Sequence, residues 1–492
     1  MERLSGILLH ISSLPGPGGV GSLGKEAFAF ADFLKDSGMH IWQVLPMGPT
    51  GYGESPYQSS SMYAGNPLYI SLETLRQEGL VHYADDELGE DKDPDRVDFD
   101  SVRKIHDALL RRCFQESREK LKEPIAAFRA GAPWVDDFAL FTALKNHFGG
   151  IIWTQWPDED IRFRKKNALD SWRTRLQDEV DFHIFCQYLF DRQWKALKAY
   201  CNERDILLFG DMPIYVAEDS ADTWVNPKVF QLDKNRVPRR IAGVPPDYFS
   251  ADGQKWGNPL YNWNWLRLTG FSWWIGRMKH MLNMYDVVRV DHFIGFANYY
   301  SIPYGAPNAR NGKWVKAPGK SFFRHLRKAC PGARIVAEDL GSVNKRVRKL
   351  IDFTGYPGMF VLVFGFGGKP EENHHHPSHW LENSVGYTGT HDNDTVLGYL
   401  KRADEQEVRL AMSTLGFTDI EDGPEAFVES VLASPCRMAV IPMQDLLHLD
   451  NSARMNLPGS IGGNWGYRMQ KKQMTRELAE HLRALNEKYR RM

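Results

Sequence analysis

Eight short apolar runs recur along this 492-residue chain, and each ends in polar, acidic or turn residues. Ile7–His10 runs into Ile11-Ser12-Ser13, and His40–Leu45 into the turn GPTGYG. Ile206–Phe209 runs into Gly210-Asp211, Val287–Val290 into Asp291-His292, and Arg334–Ala337 into Glu338-Asp339. Met359–Val363 leads into FGFGG, Val385–Thr388 into Gly389-Thr390-His391-Asp392, and Met438–Pro442 into a segment carrying Gln444 and Asp445. Uninterrupted apolar runs of about four to eight residues are what a strand buried on both faces requires, as in a parallel sheet. Helical patterns separate several of them: Lys25–Asp36, Trp265–Met284, Ser321–Ala329 and Lys345–Asp352. Eight such strands alternating with helices predict an α/β fold, a (β/α)8 barrel, whose active site lies at the C-terminal strand ends.

One spacing breaks the alternation. Roughly 150 residues separate the second and third runs, far more than a crossover loop needs. Much of this block reads as helix, including Ser101–Leu121 and Val180–Arg204. We expect a mainly helical insertion over approximately 52–200 in a single catalytic barrel spanning 1–492. Within it, Asp85–Asp100 carries nine Asp and Glu, the composition of a solvated connector. Met469–Arg490 reads as a charged amphipathic helix that packs on the barrel.

Composition narrows the function. Lys and Arg number 61 against 62 Asp and Glu, for a net charge of −1, so the chain lacks the basic excess of a general nucleic-acid binder. No apolar run approaches the roughly 18 residues of a membrane-spanning helix, and the N-terminal residues do not read as a signal peptide. Five scattered cysteines without a CxxC pair fit a reducing cytoplasm and provide no metal framework. His374, His375, His376 and His379 lack alternating partners for a metal, and we read them as structural or substrate-contacting. Of 15 Trp, six lie between Trp224 and Trp274. They are either core or a surface that stacks flat apolar faces such as those of sugar rings.

Four strand ends carry acids: Asp211, Asp291, Glu338 and Asp392. In Val288-Arg289-Val290-Asp291, alternation puts Arg289 and Asp291 on one face, and the guanidinium favours an ionised carboxylate able to act as a nucleophile. In Glu338-Asp339 the two acids point to opposite faces, one to the site and one to backbone N–H groups. A carboxyl among other carboxylates keeps its proton and suits a general acid. In Thr390-His391-Asp392 the imidazole can donate to a ligand hydroxyl and the acid can brace positive charge. Glycoside chemistry requires such a constellation, an acid/base and a nucleophile flanking an oxocarbenium-like transition state. An isolated R-x-D is also compatible with a structural ion pair.

The sequence resembles the amylomaltase family of 4-α-glucanotransferases, or disproportionating enzymes, within the α-amylase superfamily. The resemblance covers essentially the whole chain. It rests on GILLHISSLPGPGGVGSLG (6–24), WQVLPMGPTGYGESPYQSSSMYAGNPLYI (42–70), GDMPIYVAEDSADTW (210–224), GVPPDYFSADGQKWGNPLYNW (243–263), VVRVDHFIGF (287–296), AEDLG (337–341), GYTGTHDNDT (386–395) and ARMNLPGSIGGNW (453–465). It implies a retaining double displacement with Asp291 as nucleophile, Glu338 as acid/base and Asp392 as transition-state stabiliser. It further implies substrate contacts at Tyr57, Asp211, Trp256, Arg289, His391 and Asn464, with cleft-covering loops at 243–263 and 451–466. The implied partners are maltooligosaccharides, glucose and longer α-1,4-glucans, with no cofactor, metal, nucleic acid or membrane. Tyr52 and the Trp cluster are candidates for a second glucan site. The same acids would also serve an α-amylase-like hydrolase, which differs only in using water as acceptor. A non-catalytic glucan-binding barrel would have lost one of the three catalytic acids, and none is lost.

Overall fold

The order of strands in the main sheet follows the order of the eight apolar runs. The computed structural model describes residues 3–51, 53–89, 92–246, 251–341, 343–460 and 462–492. In chain order the strands are β1 (Leu4–Leu8), β2 (Ile41–Gln43), β3 (Leu207–Met212), β4 (Arg240–Val244), β5 (Gln254–Pro259) and β6 (Val287–Val290). They continue with β7 (Asn298–Pro303), β8 (Lys313–Lys316), β9 (Ile335–Ala337), β10 (Gly358–Val361), β11 (Ser384–Tyr387) and β12 (Met438–Pro442). Eight of them form one parallel sheet in the order β10-β11-β12-β1-β2-β3-β6-β9. The two ends of that order meet. Ala337 N–H donates to the Pro357 carbonyl at 2.8 Å, and Met359 N–H donates to the Asp339 carboxylate at 2.8 Å. Asp339 thus turns away from its neighbour Glu338 and bonds backbone across the barrel's closing seam.

The strands are buried on both faces because helices cover the outside. In Lys25–Asp36 the residues Ala27, Phe30, Ala31 and Leu34 fall on one stripe and are fully buried. Burying a side chain such as Phe30 contributes about 1.5–3 kcal/mol. Between β2 and β3 the chain is mainly helical, including Phe99–Ser117, Val135–His147 and Gln177–Asn202. The last of these packs against β3 and the Lys25–Asp36 helix. A separate apolar cluster of Val135, Phe138, Phe141, Leu144, Trp153, Trp156 and Trp224 lies in this region.

Several boundaries differ from the sequence expectation. The first strand begins at Leu4, earlier than Ile7, because its ladder with β12 starts at Leu4↔Met438. The expected Trp265–Met284 helix is two helices, Trp263–Leu268 and Ser272–Met284. Gly270 and Phe271 between them have φ of 61° and 59°, a left-handed turn that ends the first helix. The C-terminal helix is shorter than expected, Arg476–Tyr489, and starts where Thr475 accepts from Leu478 N–H at 3.1 Å.

The largest departure is a second sheet. β5-β4-β7-β8 is antiparallel and is built from the segments that follow β3 and β6. The stretch 243–263 is therefore not only a loop, since β5 runs through Gln254–Pro259. Its strands carry Gly, Pro and Lys and include a register shift at Ile241/Gly243, so no period-two pattern marks them. Residues 247–250 of this stretch, and Tyr52, lie outside the described residues.

Candidate active site

The C-terminal ends of β3, β6, β9 and β11 bring Asp211, Asp291, Glu338 and the 388–396 segment to one end of the barrel. Arg289 is the hub. Its guanidinium pairs with Asp211 at 2.6 Å and with Asp291 at 3.0 Å. The Arg289 side chain is 6% exposed, Asp211 is fully buried, and Asp291 keeps 27% of its side chain open. Burial opposes the Arg289 charge, but the surrounding acids outweigh it and hold the guanidinium protonated. Stripping one partner from such a buried pair costs about 3–5 kcal/mol. The pair therefore fixes the strand-end geometry.

Tyr57 extends the network. Its hydroxyl donates to Asp211 Oδ2 at 2.5 Å and lies 2.8 Å from His391 Nε2. A tyrosine hydroxyl has one proton and the carboxylate can only accept, so His391 Nε2–H is the donor in the second contact. Burial lowers the His391 pKa, which keeps the ring neutral in that tautomer. The two rings stack with centroids 5.3 Å apart at 14°. Asp211 Oδ1 is buried with no hydrogen-bond partner among the described residues, and the fully buried carboxylate acts on the site through Arg289 and Tyr57.

Glu338 is held through both oxygens. Oε2 accepts His292 N–H at 2.6 Å and Oε1 accepts Leu340 N–H at 2.8 Å. Its carboxyl is raised above the ordinary range, with burial the largest cause, against the pull of Arg289 and the two N–H donors. Asp291 is raised as well, again by burial first; Arg289 pulls it down, while Asp211, Glu338 and Asp392 push it up. Burial, rather than the neighbouring carboxylates anticipated from sequence, is the main cause at Glu338. Asp291 has a direct ion pair with Arg289, whereas Glu338 meets only backbone N–H groups, so the two acids face different partners.

The 388–396 segment is clamped at both ends by one buried acid. Asp445 accepts the Thr388 hydroxyl at 2.5 Å and Val396 N–H at 2.8 Å. Asn451 accepts Thr395 N–H at 3.2 Å, an approach that Gly398 permits because a Cβ there would strike the Asn451 amide. Asp392, 44% exposed, has its Oδ1 fixed by Asn456 Nδ2 at 2.6 Å, and its carbonyl accepts Arg454 Nη2 at 2.7 Å. His391 Nε2 is 3.4 Å from Asp392 Oδ1.

Trp256, on β5, places its ring edge-on to His292 at 4.9 Å, and its carbonyl accepts Gln58 Nε2 at 3.1 Å. Trp465 lies at 5.9 Å from Tyr57 and 6.0 Å from His391, with a left-handed φ of 64°. Asn464 is not drawn into the carboxylate cluster. Its amide accepts Leu457 N–H at 3.0 Å and donates to Ser460, bracing its own turn. From that loop Asn456 reaches the Asp392 carboxylate, and Arg454 pairs with Asp394. The motif 453–465 contains Asn456, Arg454 and Trp465, but only the folded loop reveals which side chain points inward. Asp445 and His292 carried no separate signal.

Of the Trp cluster, Trp224 and Trp274 are core. His375 accepts Val361 N–H at 3.3 Å and His374 packs on Phe360 at 5.0 Å. Among the described residues no group of three or more His, Cys, Asp or Glu could hold a metal. A cavity of about 1020 Å³ opens at the opposite, N-terminal end of the barrel, beside Leu4, Ile206, Asp286 and Arg334, away from the carboxylates.

A family model described as Glyco_hydro_77, 4-alpha-glucanotransferase, matches residues 9–475. The 4-alpha-glucanotransferase of Thermus thermophilus is 45% identical over 500 residues, covering 99% of each chain. That of Streptococcus pneumoniae is 43% identical over 499 residues, covering 100% of this chain and 98% of the relative. The amylomaltase from Streptococcus agalactiae, solved in complex with acarbose, superposes with a TM-score of 0.97 at 37% identity and covers 100% of both chains.

Proposed function

This chain belongs to the Glyco_hydro_77 family of 4-alpha-glucanotransferases, and from that premise we propose how its site performs the transfer. The single observation that carries the mechanism is the Arg289-centred cluster, in which Asp291, paired with the guanidinium and partly open, stands beside the buried Glu338.

The donor is a maltooligosaccharide. Asp291 attacks C1 of the glucosyl unit while Glu338 gives its proton to the glycosidic oxygen, and the reducing-end fragment leaves. The product is a β-linked glucosyl ester on Asp291. The 4-OH of glucose or another glucan then attacks C1, Glu338 takes the hydroxyl proton, and Asp291 is released. Two inversions restore the α-1,4 bond. Asp392, oriented by Asn456, supports the oxocarbenium-like transition state through sugar hydroxyls, and Asp211 holds Arg289 and the Tyr57 hydroxyl beside it. Arg289 and His391 hold the acids in place, and Tyr57, Trp256 and Asn464 belong to the substrate-contacting set.

Water competes with the acceptor at the ester. The β5 segment and the 451–466 loop flank the acids, so an acceptor sugar is held in place while loose water is excluded. We read 52–200 as a helical subdomain supporting this flank, and longer α-1,4-glucans as further substrates. The scheme needs no cofactor or metal. Five free cysteines fit a cytoplasmic setting. Incubation with maltotriose and chromatography of the products tests the reading: glucose together with chains longer than the donor supports it, and shorter products alone oppose it.

A further inference from the structure

The acidic connector 85–100 is the one charged run that no motif absorbs. Its last residues cross the foot of the loop carrying Asn456 and Trp465. Arg468 N–H donates to the Asp95 carbonyl at 2.8 Å and Val97 N–H to the Gly466 carbonyl at 2.9 Å, a short antiparallel bridge centred on Arg96 and Tyr467. Gln470 Nε2 adds a bond to the Asp95 carboxylate at 2.6 Å. The Arg96 guanidinium then reaches two carbonyls at once, Ser452 at 3.3 Å and Gly463 at 2.5 Å.

Ser452 and Gly463 are the two feet of that loop. Between them lie Arg454, on the Asp392 carbonyl, and Asn456, on the Asp392 carboxylate. Just beyond Gly463 is Trp465, which packs on Tyr57 and His391 in a strained backbone conformation. Trp465 N–H donates to the Met455 carbonyl at 2.6 Å, so the two sides of the loop are also joined near the site. A residue held at left-handed φ persists only where its surroundings over-determine it. The Arg96 bridge supplies part of that determination.

We propose that Arg96 is a positioning residue for transfer, fixing the two feet of the 451–466 loop so that Asn456 and Trp465 keep the acceptor side of the covalent intermediate ordered. Arg96 touches none of the reacting groups. Its planar fork can hold two carbonyls in fixed geometry, which a lysine ammonium does less well and a methyl group not at all. Loosening the loop admits water to the ester, while Asp291 itself stays set by Arg289 and β6.

The inference rests on the transferase reading, and the experiment keeps the two apart. Full-length wild type, Arg96→Ala, Arg96→Gln and Arg96→Lys are incubated with maltotriose, and both chain-length redistribution and new reducing ends are measured. In Arg96→Ala the hydrolysis-to-transfer ratio rises about tenfold while donor consumption stays within about threefold of wild type, and KM for added glucose acceptor increases. Arg96→Lys recovers part of the ratio. Arg96→Gln, closer in size and still able to donate, serves where the alanine variant does not fold. An unchanged ratio in a folded variant overturns the positioning role, as does a parallel fall in both reactions with a lowered Tm. Wild type that fails to transfer at all would instead overturn the transferase reading.

Discussion

The backbone N–H of His292 donates to Glu338 Oε2 at 2.6 Å. His292 directly follows Asp291 and has φ 46° and ψ 47°, a left-handed conformation that a residue with a Cβ seldom adopts. The turn aims its amide across to the next strand end. Two acids on separate strands are thus tied through one strained peptide, and local strain of this kind collects where geometry serves chemistry.

Asp291→Asn removes the nucleophile while keeping its size. Transfer from maltotriose falls by about a thousandfold or more, with the circular dichroism spectrum unchanged. Activity within tenfold of wild type would remove Asp291 from the nucleophile's role.

Glu338→Gln keeps the size of the side chain and an oxygen for one of the two backbone N–H donors, but its amide cannot supply a proton. Natural donors are slowed by about a hundredfold or more, whereas an α-glucosyl fluoride, whose leaving group needs little protonation, still forms the ester. The raised Glu338 pKa also sets the alkaline limb of the wild-type profile: activity needs the protonated form and is lost as pH rises through that value. Equal slowing of natural and activated donors would assign the acid elsewhere.

Tyr57→Phe deletes the hydroxyl shared by Asp211 and His391. A buried bond to a charged group is worth about 1.5–3 kcal/mol, so kcat/KM falls about 10- to 100-fold. Steady-state kinetics within twofold of wild type would show that the network does not depend on it.

Asp445→Asn tests the clamp on the 388–396 segment through pH. Burial lifts the Asp445 carboxyl from 3.8 to about 6. Between those values the folded chain holds a proton that the unfolded chain releases. The resulting stability is complete below 3.8 and is lost as pH rises through about 6. The stability advantage of wild type over the variant therefore grows as pH falls from about 7.5 to about 5, by about 1.4 kcal/mol, and Tm follows it. A difference that stays constant over that range would contradict the titration.

The eight barrel strands were legible because burial on both faces leaves continuous apolar runs, and the acids because they stand where those runs end. The pairing of Arg289 with Asp291 follows from strand alternation alone. Its second partner, Asp211, comes from the neighbouring β3, so that bond depends on sheet order. The antiparallel sheet was hidden because Arg240 pairs with Pro303 and Tyr300 with Trp314, contacts between segments that carry no periodic signature. Asn456 and Asn464 look equivalent in sequence. Only the loop's own turn, closed by Asn464 on Leu457 and Ser460, shows which of them is free to meet Asp392.

The central claim is that a sugar hydroxyl, not water, resolves the glucosyl ester on Asp291. Transfer breaks one glycosidic bond and forms another, whereas hydrolysis creates one reducing end per event. The most direct measurement is therefore the total of reducing ends during consumption of maltotriose by the wild-type chain. The account predicts glucose and a ladder of longer chains with a nearly constant total. Reducing ends that rise in step with maltotriose loss would contradict it.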